Sequence, residues 1–247
     1  MDEITSRKNP LCVHMKKLGT SRVYREEHRE FLCDGMKMLE EAVKAGAAIT
    51  AVLTTSDVPP VLSPAARVCH AAREILDSLS PLKNAQDILF TCKTPEQTAF
   101  TKTAGTHILL DGIQDPGNVG TIIRTANAFG LKSVILTDGC ADLYNPKTLR
   151  ASMGAVFRQK VFYIFDLSDL HGINFIGAAL GPGCRDMSEV CFKDAVIAIG
   201  SEGRGLSQEV LSMCKERVTI PIAAECESLN AAVAASIIMW EAVKGDA

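Results

Sequence analysis

Short apolar runs and helically spaced segments alternate along the first ninety residues. Three runs rich in apolar and β-branched residues predict strands: 30–34, 48–55 and 87–93. Residues 35–47 and 63–80 have the apolar spacing of helices, and the second of these begins with a Ser-Pro pair. This alternation predicts a small α/β sandwich over residues 1–95.

The rest of the chain is more regular. Residues 96–105 are polar and rich in threonine, and we interpret them as a linker. Residues 106–247 contain six apolar runs that predict strands: 107–113, 133–139, 161–165, 174–180, 195–200 and 217–222. Apolar strands that alternate with helices indicate a parallel sheet covered on both faces, in which ligands bind at the carboxyl ends of the strands.

Unusual sequences follow four of these six strands. DPGNVG follows the first strand, GPG the fourth, GSEGRG the fifth and AAECESLN the sixth. The glycine-rich GSEGRG is neither a Walker loop nor a dinucleotide fingerprint, and its Glu202 could orient a cation. Ser228 could cap the last helix, with Asn230 in the first turn. These four segments are therefore the candidate ligand-binding edge.

The helix after the first of these strands contains Arg124. At about 100° per residue, one side of this helix is apolar and is predicted to be buried: Ile122, Ile123, Ala126 and Phe129. Gly120, Arg124 and Asn127 lie nearly opposite, so Gly120 would leave open space beside the guanidinium. Asn118 stands where an N-cap is expected. From these residues alone, Arg124 is either an ordinary surface arginine or a group that faces a ligand.

Composition and charge narrow the possible classes of protein. The chain has 247 residues, 47% of them hydrophobic and 22% charged, as is typical of globular proteins. No apolar run reaches the roughly 18 residues that span a bilayer, and residues 1–10 lack the apolar stretch of a signal peptide. Nine cysteines without a C-x-x-C pair argue against a disulfide framework and a zinc site. We therefore expect a cytoplasmic protein with reduced thiols and no bound metal.

The charge is unevenly distributed. The net charge is −3, but basic residues outnumber acidic ones between residues 6 and 29. Such a cluster is either a phosphate-binding surface or the solvated face of a helix, and charge alone does not decide between them.

Together these segments resemble the three motifs of the SpoU (TrmH-type) RNA 2′-O-ribose methyltransferases of the SPOUT class. DPGNVGTIIRTANAFG is similar to the first motif, IGSEGRGL to the second and IPIAAECESLNAAVAASI to the third, while NPKTLRASMGAVF matches a helical segment of the family. Residues 4–35 resemble the appended RNA-binding domain of the family, which has an L30e-like fold. One departure is Ala224, which stands where the family commonly has glycine.

The resemblance implies a fold and a cofactor. In this family the chain end threads through a loop and forms a deep trefoil knot, a topology that periodicity cannot reveal. S-adenosylmethionine is expected to bind in the knot, contacted by Gly200, Ile220 and Leu229. Thr137 and Gly181, at other strand ends, are weaker candidates for cofactor contact.

The resemblance also implies a chemical role for Arg124. It would serve, together with an RNA phosphate, in removing the proton of a ribose 2′-hydroxyl. Arg124 either acts as the base, which requires a costly uncharged arginine, or holds the phosphate while the phosphate or water accepts the proton. The residues expected to hold Arg124 and the ribose in place are Asn118, Glu202, Ser228 and Asn230.

The expected partners are RNA and a second copy of the chain. Ribosomal RNA is favoured over transfer RNA because of the extra N-terminal domain, where Arg7, Lys16, Arg22 and Arg25 are the candidate RNA-binding residues. Family members work as homodimers, and four consecutive bulky residues in the last helix, Ile237–Trp240, are more than one sheet can cover, so Trp240 is the candidate anchor. The alternatives are a transfer RNA methyltransferase, a non-catalytic RNA-binding module and a Rossmann-type nucleotide enzyme, the last disfavoured by the missing fingerprint.

Overall fold

The structure is a computed structural model that describes residues 2–56, 66–81, 85–101, 103–223 and 225–245. The described strands are β1 Asp2–Ile4, β2 Glu30–Asp34, β3 Ile49–Thr54, β4 Arg67–Ala71, β5 Ile88–Lys93, β6 His107–Asp111, β7 Val134–Thr137, β8 Val161–Ile164, β9 Phe175–Ala178, β10 Arg185–Asp186, β11 Val196–Gly200 and β12 Cys214–Thr219. The described α-helices are α1 Pro10–Thr20, α2 Arg22–His28, α3 Met36–Lys44, α4 Arg73–Leu79, α5 Pro116–Ala128, α6 Pro146–Ser152, α7 Gln208–Met213 and α8 Ala231–Val243.

The chain forms two compact units. The first comprises Met1–Glu96 together with Asp142–Phe157, and the second comprises Gln97–Ala141 and Arg158–Ala247. The first unit therefore ends one residue from the boundary expected from the sequence. It also includes Asp142–Phe157, which the sequence analysis assigned to the second domain. Between Lys93 and His107 the described residues form no helix or strand.

The first unit is a five-stranded sheet with helices on both faces. The strand order is β1-β4-β3-β5-β2, with β1, β4 and β3 parallel and β5 antiparallel to β3 and β2. Alternate residues of β2 enter different cores: Leu32 packs with residues of α1 and α4, whereas Phe31 and Cys33 pack with residues of α3 and α6. Period-two alternation thus places apolar residues on both faces, as an α/β sandwich requires.

One predicted helix is wrong in its first half. Residues 67–71 form β4, which pairs in parallel with β1 and β3 and buries Cys69 completely, and only 73–79 form a helix. The burial pattern of β4 alternates as expected for a strand. Pairing with a strand on each side stabilises β4 more than its helix-like apolar spacing would stabilise a helix. The Ser-Pro start of the predicted helix lies outside the described residues.

A buried ion pair joins α2 to the segment Asp142–Phe157 within the first unit. Arg25 is only 6% exposed. Its Nε and Nη2 donate to Asp142 Oδ2 at 3.0 and 2.6 Å, and its Nη1 donates to the carbonyl oxygen of Leu18 at 2.6 Å. The prediction that Arg25 belongs to an RNA-binding surface is therefore wrong, because its guanidinium is buried and already bonded.

The second unit is a seven-stranded sheet in the order β10-β12-β9-β11-β6-β7-β8, and every described pairing in it is parallel. All six predicted strands are confirmed. The two-residue strand β10 was missed because so short a segment carries no periodicity. Strand β6 is apolar throughout its centre, and Ile108, Leu109 and Leu110 are fully buried, as expected for a sheet covered on both faces. The knotted threading of the chain end stays a prediction.

Candidate active site and cofactor cleft

The site is built at the carboxyl edge of the parallel sheet. Strands β6 and β11 are neighbours in register, with Gly200 opposite Asp111 at their carboxyl ends. Helix α5 follows β6, and the turn containing Glu202 follows β11. Two of the unusual segments therefore leave the sheet side by side.

Helix α5 begins one turn earlier than the sequence analysis expected. Asp115, not Asn118, is the N-cap: its Oδ1 accepts from the backbone nitrogen of Asn118 at 2.8 Å, and Pro116 occupies the first helical position. Because Asp115 performs the capping, the side-chain amide of Asn118 is available for other partners.

The three motifs meet at Asn118. Its Nδ2 donates to Glu202 Oε1, and its Oδ1 accepts from Asn230 Nδ2 at 3.1 Å. Asn230 is the N-cap of α8, a role predicted for Ser228, and its Oδ1 accepts from the backbone nitrogens of Ala232 and Val233 at 3.0 and 3.2 Å. Each partner comes from a different motif, so this network fixes the three segments relative to one another.

Arg124 is exposed on α5 and forms no hydrogen bond or ion pair with any other residue that the structure describes. It lies six residues after Asn118, which corresponds to ~9 Å along the helix axis. The predicted apolar side is buried at Ile122, Ile123 and Ala126, but Gly120 is buried too. The expected open space at Gly120 is therefore wrong, whereas the guanidinium of Arg124 remains accessible to a ligand.

A cleft of about 390 Å³ lies beside this network. It is lined by three of the predicted cofactor contacts, Gly200, Ile220 and Leu229, and by two of the predicted catalytic residues, Glu202 and Ser228. Its other lining residues are apolar, Ala178, Ala179, Leu180, Ile199, Leu206, Leu211, Val218, Ile222 and Ala231, except for Ser201, Arg204, Gly205 and Gln208 from the turn and the start of α7. Ala224 lies outside the described residues.

The glycine-rich turn after β11 is a closed loop. Ser201 and Gly205 exchange two backbone hydrogen bonds, of 3.1 and 2.8 Å, and Gly205 has a φ of +67°. A Cβ placed on Gly200 would overlap the carbonyl group of Gly205 and the backbone nitrogen of Leu206. Glycine is therefore required at position 200 for the turn to fold back onto the end of the strand, which shapes one wall of the cleft.

The two weaker cofactor candidates do not line the cleft. The hydroxyl of Thr137 accepts from the backbone nitrogen of Gly112 at 3.1 Å and lies 3.2 Å from Asp111 Oδ1. Gly181 follows Leu180, which does line the cleft, and has a φ of +107°.

Asp111 was not among the residues predicted from the sequence. Its Oδ2 accepts from the backbone nitrogen of Ser207, the N-cap of α7, at 2.6 Å, while its Oδ1 lies beside Thr137. This carboxylate therefore connects the end of β6 with the end of β7 and with the segment after the glycine-rich turn. Asp111 could have been identified from the sequence, because it is a charged residue that ends an apolar strand at the ligand-binding edge.

Three of the four predicted RNA-binding residues are exposed in the first unit. Arg7 Nη2 donates to the Glu74 carbonyl oxygen at 3.2 Å, and Lys16 Nζ donates to the Ser78 carbonyl oxygen at 2.6 Å. Arg22 pairs with Glu26, four residues later on the same helix, at 2.7 Å. Contacts of this kind at the surface are weak, so they leave these cations able to exchange partners.

The described residues provide neither a metal-binding group nor a membrane-spanning helix. In the part of the chain that the structure describes, no group of three His, Cys, Asp or Glu side chains could hold a metal ion. None of the described helices combines the length and the hydropathy needed to cross a membrane.

Comparisons with known proteins match both units. Residues 105–240 match the model of the SpoU rRNA Methylase family, and residues 4–89 match the MRM3-like substrate binding domain. The chain is 32% identical over 248 residues to the 23S rRNA (guanosine(2553)-2′-O)-methyltransferase of Bacillus subtilis, a match that covers 97% of this chain and 98% of that protein.

Solved structures agree with this assignment. The AdoMet-bound rRNA methyltransferase of Sinorhizobium meliloti superposes with a TM-score of 0.91 and 27% identity, covering 99% of this chain and 98% of that one. The SpoU methyltransferase AviRb of Streptomyces viridochromogenes, in complex with AdoMet, gives 0.87 and 25%, covering 97% and 98%. A structure concerned with 2′-hydroxyl methylation of C/U34 on tRNA covers only 56% of this chain and 93% of its own, with a TM-score of 0.51 and 26% identity. From its motifs, its fold and these matches, the chain belongs to the SpoU rRNA methylase family.

Proposed function

We propose that this protein methylates a ribose 2′-hydroxyl of ribosomal RNA, with S-adenosylmethionine as the methyl donor. The observation that carries the proposal is the network of Asn118, Glu202 and Asn230 beside the cleft, with Arg124, which has no partner among the described residues, on the same helix as Asn118. Membership of the SpoU family and the names of the full-length relatives support the same activity.

The cleft suits the cofactor in size and chemistry. Its volume of about 390 Å³ falls within the range of small-molecule sites, and its lining combines apolar side chains with a few polar ones, among them Glu202, Arg204 and Gln208. Gly200, Ile220 and Leu229 would contact the cofactor, Thr137 would act through Asp111, and Gly181 would shape the loop beside Leu180. When bound, S-adenosylmethionine supplies a methyl group on a positively charged sulfur, and its transfer to the ribose oxygen releases one proton.

Arg124 would bind the RNA phosphate next to the reacting ribose. Its guanidinium keeps its charge under all ordinary conditions and can contact a phosphate through two N–H groups. A fixed positive charge beside the 2′-hydroxyl stabilises the alkoxide that develops as the proton leaves, and the phosphate or a water accepts that proton. The amide of Asn118 and the carboxylate of Glu202 hold the neighbouring segments, so positioning supplies much of the rate.

Ser228 and Asn230 have different parts in this proposal. Asn230 holds the start of α8 against Asn118, which makes it a positioning residue. Ser228 is exposed on the wall of the cleft, where its hydroxyl can contact the ribose or the cofactor.

Ribosomal RNA is favoured over transfer RNA because of the first unit. The Bacillus subtilis and Sinorhizobium meliloti proteins, which match nearly the whole chain, are named as rRNA methyltransferases, whereas the tRNA-related structure covers about half of it. Arg7, Lys16 and Arg22 would contribute phosphate contacts from that unit. All nine cysteines are free, which fits a cytoplasmic location.

A homodimer through α8 is also part of the proposal. Of the four consecutive bulky residues, Ile238 and Met239 are buried within their own unit, so only the rest of this run can contribute to a dimer interface. Val233 and Trp240, two turns apart on the same face, are 48% and 51% exposed. The Trp240 ring lies 5.8 Å from that of Phe129 on α5, so this face continues onto α5.

Methyl transfer can be tested directly. Purified protein is incubated with methyl-labelled S-adenosylmethionine and either ribosomal or transfer RNA, and the RNA is then hydrolysed in alkali. A methylated 2′-oxygen cannot attack the adjacent phosphate, so the label should appear in alkali-resistant dinucleotides from ribosomal RNA. Label in mononucleotides would indicate base methylation, and label in transfer RNA alone would overturn the choice of substrate.

A further inference from the structure

Three aromatic rings of the first unit form a cluster that the proposed reaction does not use. Tyr24 and His28, one turn apart on α2, stack with ring centroids 3.8 Å apart and an interplanar angle of 27°. His14 on α1 meets the Tyr24 ring edge-on at 5.5 Å and lies 5.4 Å from His28. The stack ends at His28, whose side chain is exposed.

The inner end of the cluster is anchored on a buried carboxylate. Glu30 is 7% exposed, and its carboxylate accepts hydrogen bonds from Thr50 and, at 3.3 Å, from Lys93 Nζ. His14 Nε2 lies 3.3 Å from the same carboxylate, and His14 Nδ1 lies 2.9 Å from the Tyr24 hydroxyl. With Nε2–H donating to Glu30, Nδ1 of the neutral ring accepts the proton of the Tyr24 hydroxyl, which holds the tyrosine in one orientation.

The outer end is rigid although it is exposed. His28 Nδ1 donates to the carbonyl oxygen of Tyr24 at 3.0 Å, so a hydrogen bond and a stacked ring both fix the imidazole. An exposed side chain normally keeps its rotamer freedom, and losing that freedom on binding weakens an interaction. Here the ring is ordered before any ligand arrives, and its Nε2 has no hydrogen bond with the residues that the structure describes.

Two basic residues lie next to the rings, one in space and one in sequence. Lys17 Nζ lies 5.2 Å from the Tyr24 ring centroid, one turn after His14 on α1, and Arg29 follows His28 directly and is exposed. An ordered, exposed aromatic face flanked by cations matches the chemistry of an unpaired nucleotide, whose base stacks while its phosphates meet the positive charges. A paired base offers no such free face.

We propose that His28, supported by Tyr24 and His14, is a stacking site for an unpaired base of the RNA substrate, with Lys17 and Arg29 contacting the flanking phosphates. The site rests on the proposed function only in that the substrate is RNA. It adds a recognition element to the first unit, separate from the phosphate contacts assigned to Arg7, Lys16 and Arg22.

The test uses the full chain and a short single-stranded oligoadenylate that contains 2-aminopurine, with a duplex of the same length as the reference. Base stacking is worth ~1–3 kcal/mol per base on alanine substitution, which corresponds to roughly 5- to 150-fold in affinity. His28→Ala should weaken binding of the single strand by an amount in that range and remove the fluorescence change on binding. Duplex binding should change little.

Two matched variants separate stacking from charge. His28→Phe keeps a ring and should retain the affinity and the fluorescence change, whereas His28→Lys supplies a cation without a ring and should lose both. Full binding by His28→Ala, or by His28→Lys, would overturn the proposal. So would an equal loss for single strand and duplex. His28 is exposed, so loss of its stack and hydrogen bond should lower the unfolding temperature of the variants only slightly. If His28→Ala and His28→Lys are nevertheless unfolded, loss of single-strand binding by a folded His28→Phe would overturn the proposal.

Methyl transfer to ribosomal RNA by the wild-type protein is measured alongside. If the wild type transfers methyl groups and His28→Ala binds the oligonucleotide normally, the stacking site is refuted and the enzymatic function stands. If the wild type transfers none but His28→Ala loses the oligonucleotide, the enzymatic function is refuted and the stacking site stands.

Discussion

Arg25→Ala should destabilise the first unit strongly, although sequence patterning places Arg25 in the same basic surface as Arg22. The substitution removes two hydrogen bonds to Asp142 and one to the Leu18 carbonyl group. It also leaves the carboxylate of Asp142, 13% exposed at the side chain, without its cation.

The expected loss in free energy of unfolding is near the lower end of the range for broken buried ion pairs. Removing one partner of a buried ion pair costs about 3–5 kcal/mol. Asp142 keeps one hydrogen bond, from the backbone nitrogen of Tyr144 to its Oδ1 at 2.9 Å, so we expect about 3 kcal/mol. A unit of this size loses about 4 °C per kcal/mol, which gives a drop of about 12 °C in Tm.

Differential scanning calorimetry of the full chain measures this, with and without S-adenosylmethionine, because a ligand stabilises only the unit that binds it. The transition that the cofactor does not move belongs to the first unit. Arg22→Ala is the matched control, since its pair with Glu26 is 58% and 60% exposed and is worth at most about 0.5 kcal/mol. Adding Asp142→Asn to Arg25→Ala should recover part of the loss, because a neutral amide leaves no unpaired charge.

For RNA binding we expect the reverse: Arg22 should contribute and Arg25 should not. Arg22→Ala should lower the slope of log affinity against log salt by about one, and Arg25→Ala, while folded, should leave that slope unchanged. If Arg25→Ala keeps the wild-type Tm and lowers the slope as Arg22→Ala does, Arg25 contacts RNA and the argument from burial fails.

Four further predictions concern catalysis, the cofactor, pH and assembly. Arg124→Ala should lower methyl transfer by about 100-fold or more without changing Tm or cofactor affinity. Arg124→Lys should not restore activity, because a single ammonium cannot make the bidentate phosphate contact. Wild-type turnover by either variant would refute the role of Arg124. Gly200→Ala should weaken S-adenosylmethionine binding by roughly 5- to 150-fold in titration calorimetry, since the new Cβ strains the turn by about 1–3 kcal/mol. Its control is Gly203→Ala, where a Cβ meets open space. Burial alone would raise the pKa of Glu30, but hydrogen bonds from Thr50 and the charge of Lys93 bring it below its ordinary 4.5. The ionised carboxylate therefore stabilises the fold above the ordinary pKa of 4.5, and this contribution is lost as the pH falls through the lowered folded-state pKa. Glu30→Gln should be less stable than wild type at pH 7. In urea titrations its free energy of unfolding should fall less steeply as the pH is lowered. Light scattering should give twice the chain mass of 26.5 kDa, and Trp240→Ala should shift the protein towards that single mass; a monomeric wild type would refute the dimer.

Local sequence was enough to predict six of the seven strands of the second unit and the sheet edge that carries its candidate site. Each of its strands is a short apolar run between helices, and the unusual residues follow those runs directly, so the carboxyl edge could be recognised without coordinates. Asn118, Glu202 and Asn230 lie together because each stands just beyond a strand of one parallel sheet or at the start of a helix that leaves it. Buried faces such as Ile122, Ile123 and Ala126 follow from helical period alone.

Contacts between distant parts of the chain decided the rest. Arg22 and Arg25 look alike in a sequence, and only Asp142, 117 residues away, makes one of them a buried structural residue. Residues 67–71 have a spacing compatible with a helix, and two parallel neighbours make them a strand. Likewise, Asp115 and Asn118 are both suitable caps, and the backbone path from β6 selects Asp115. The physical reason is common to all three: periodicity records which face of a segment is apolar, whereas the partner that covers or pairs with it is set by tertiary packing.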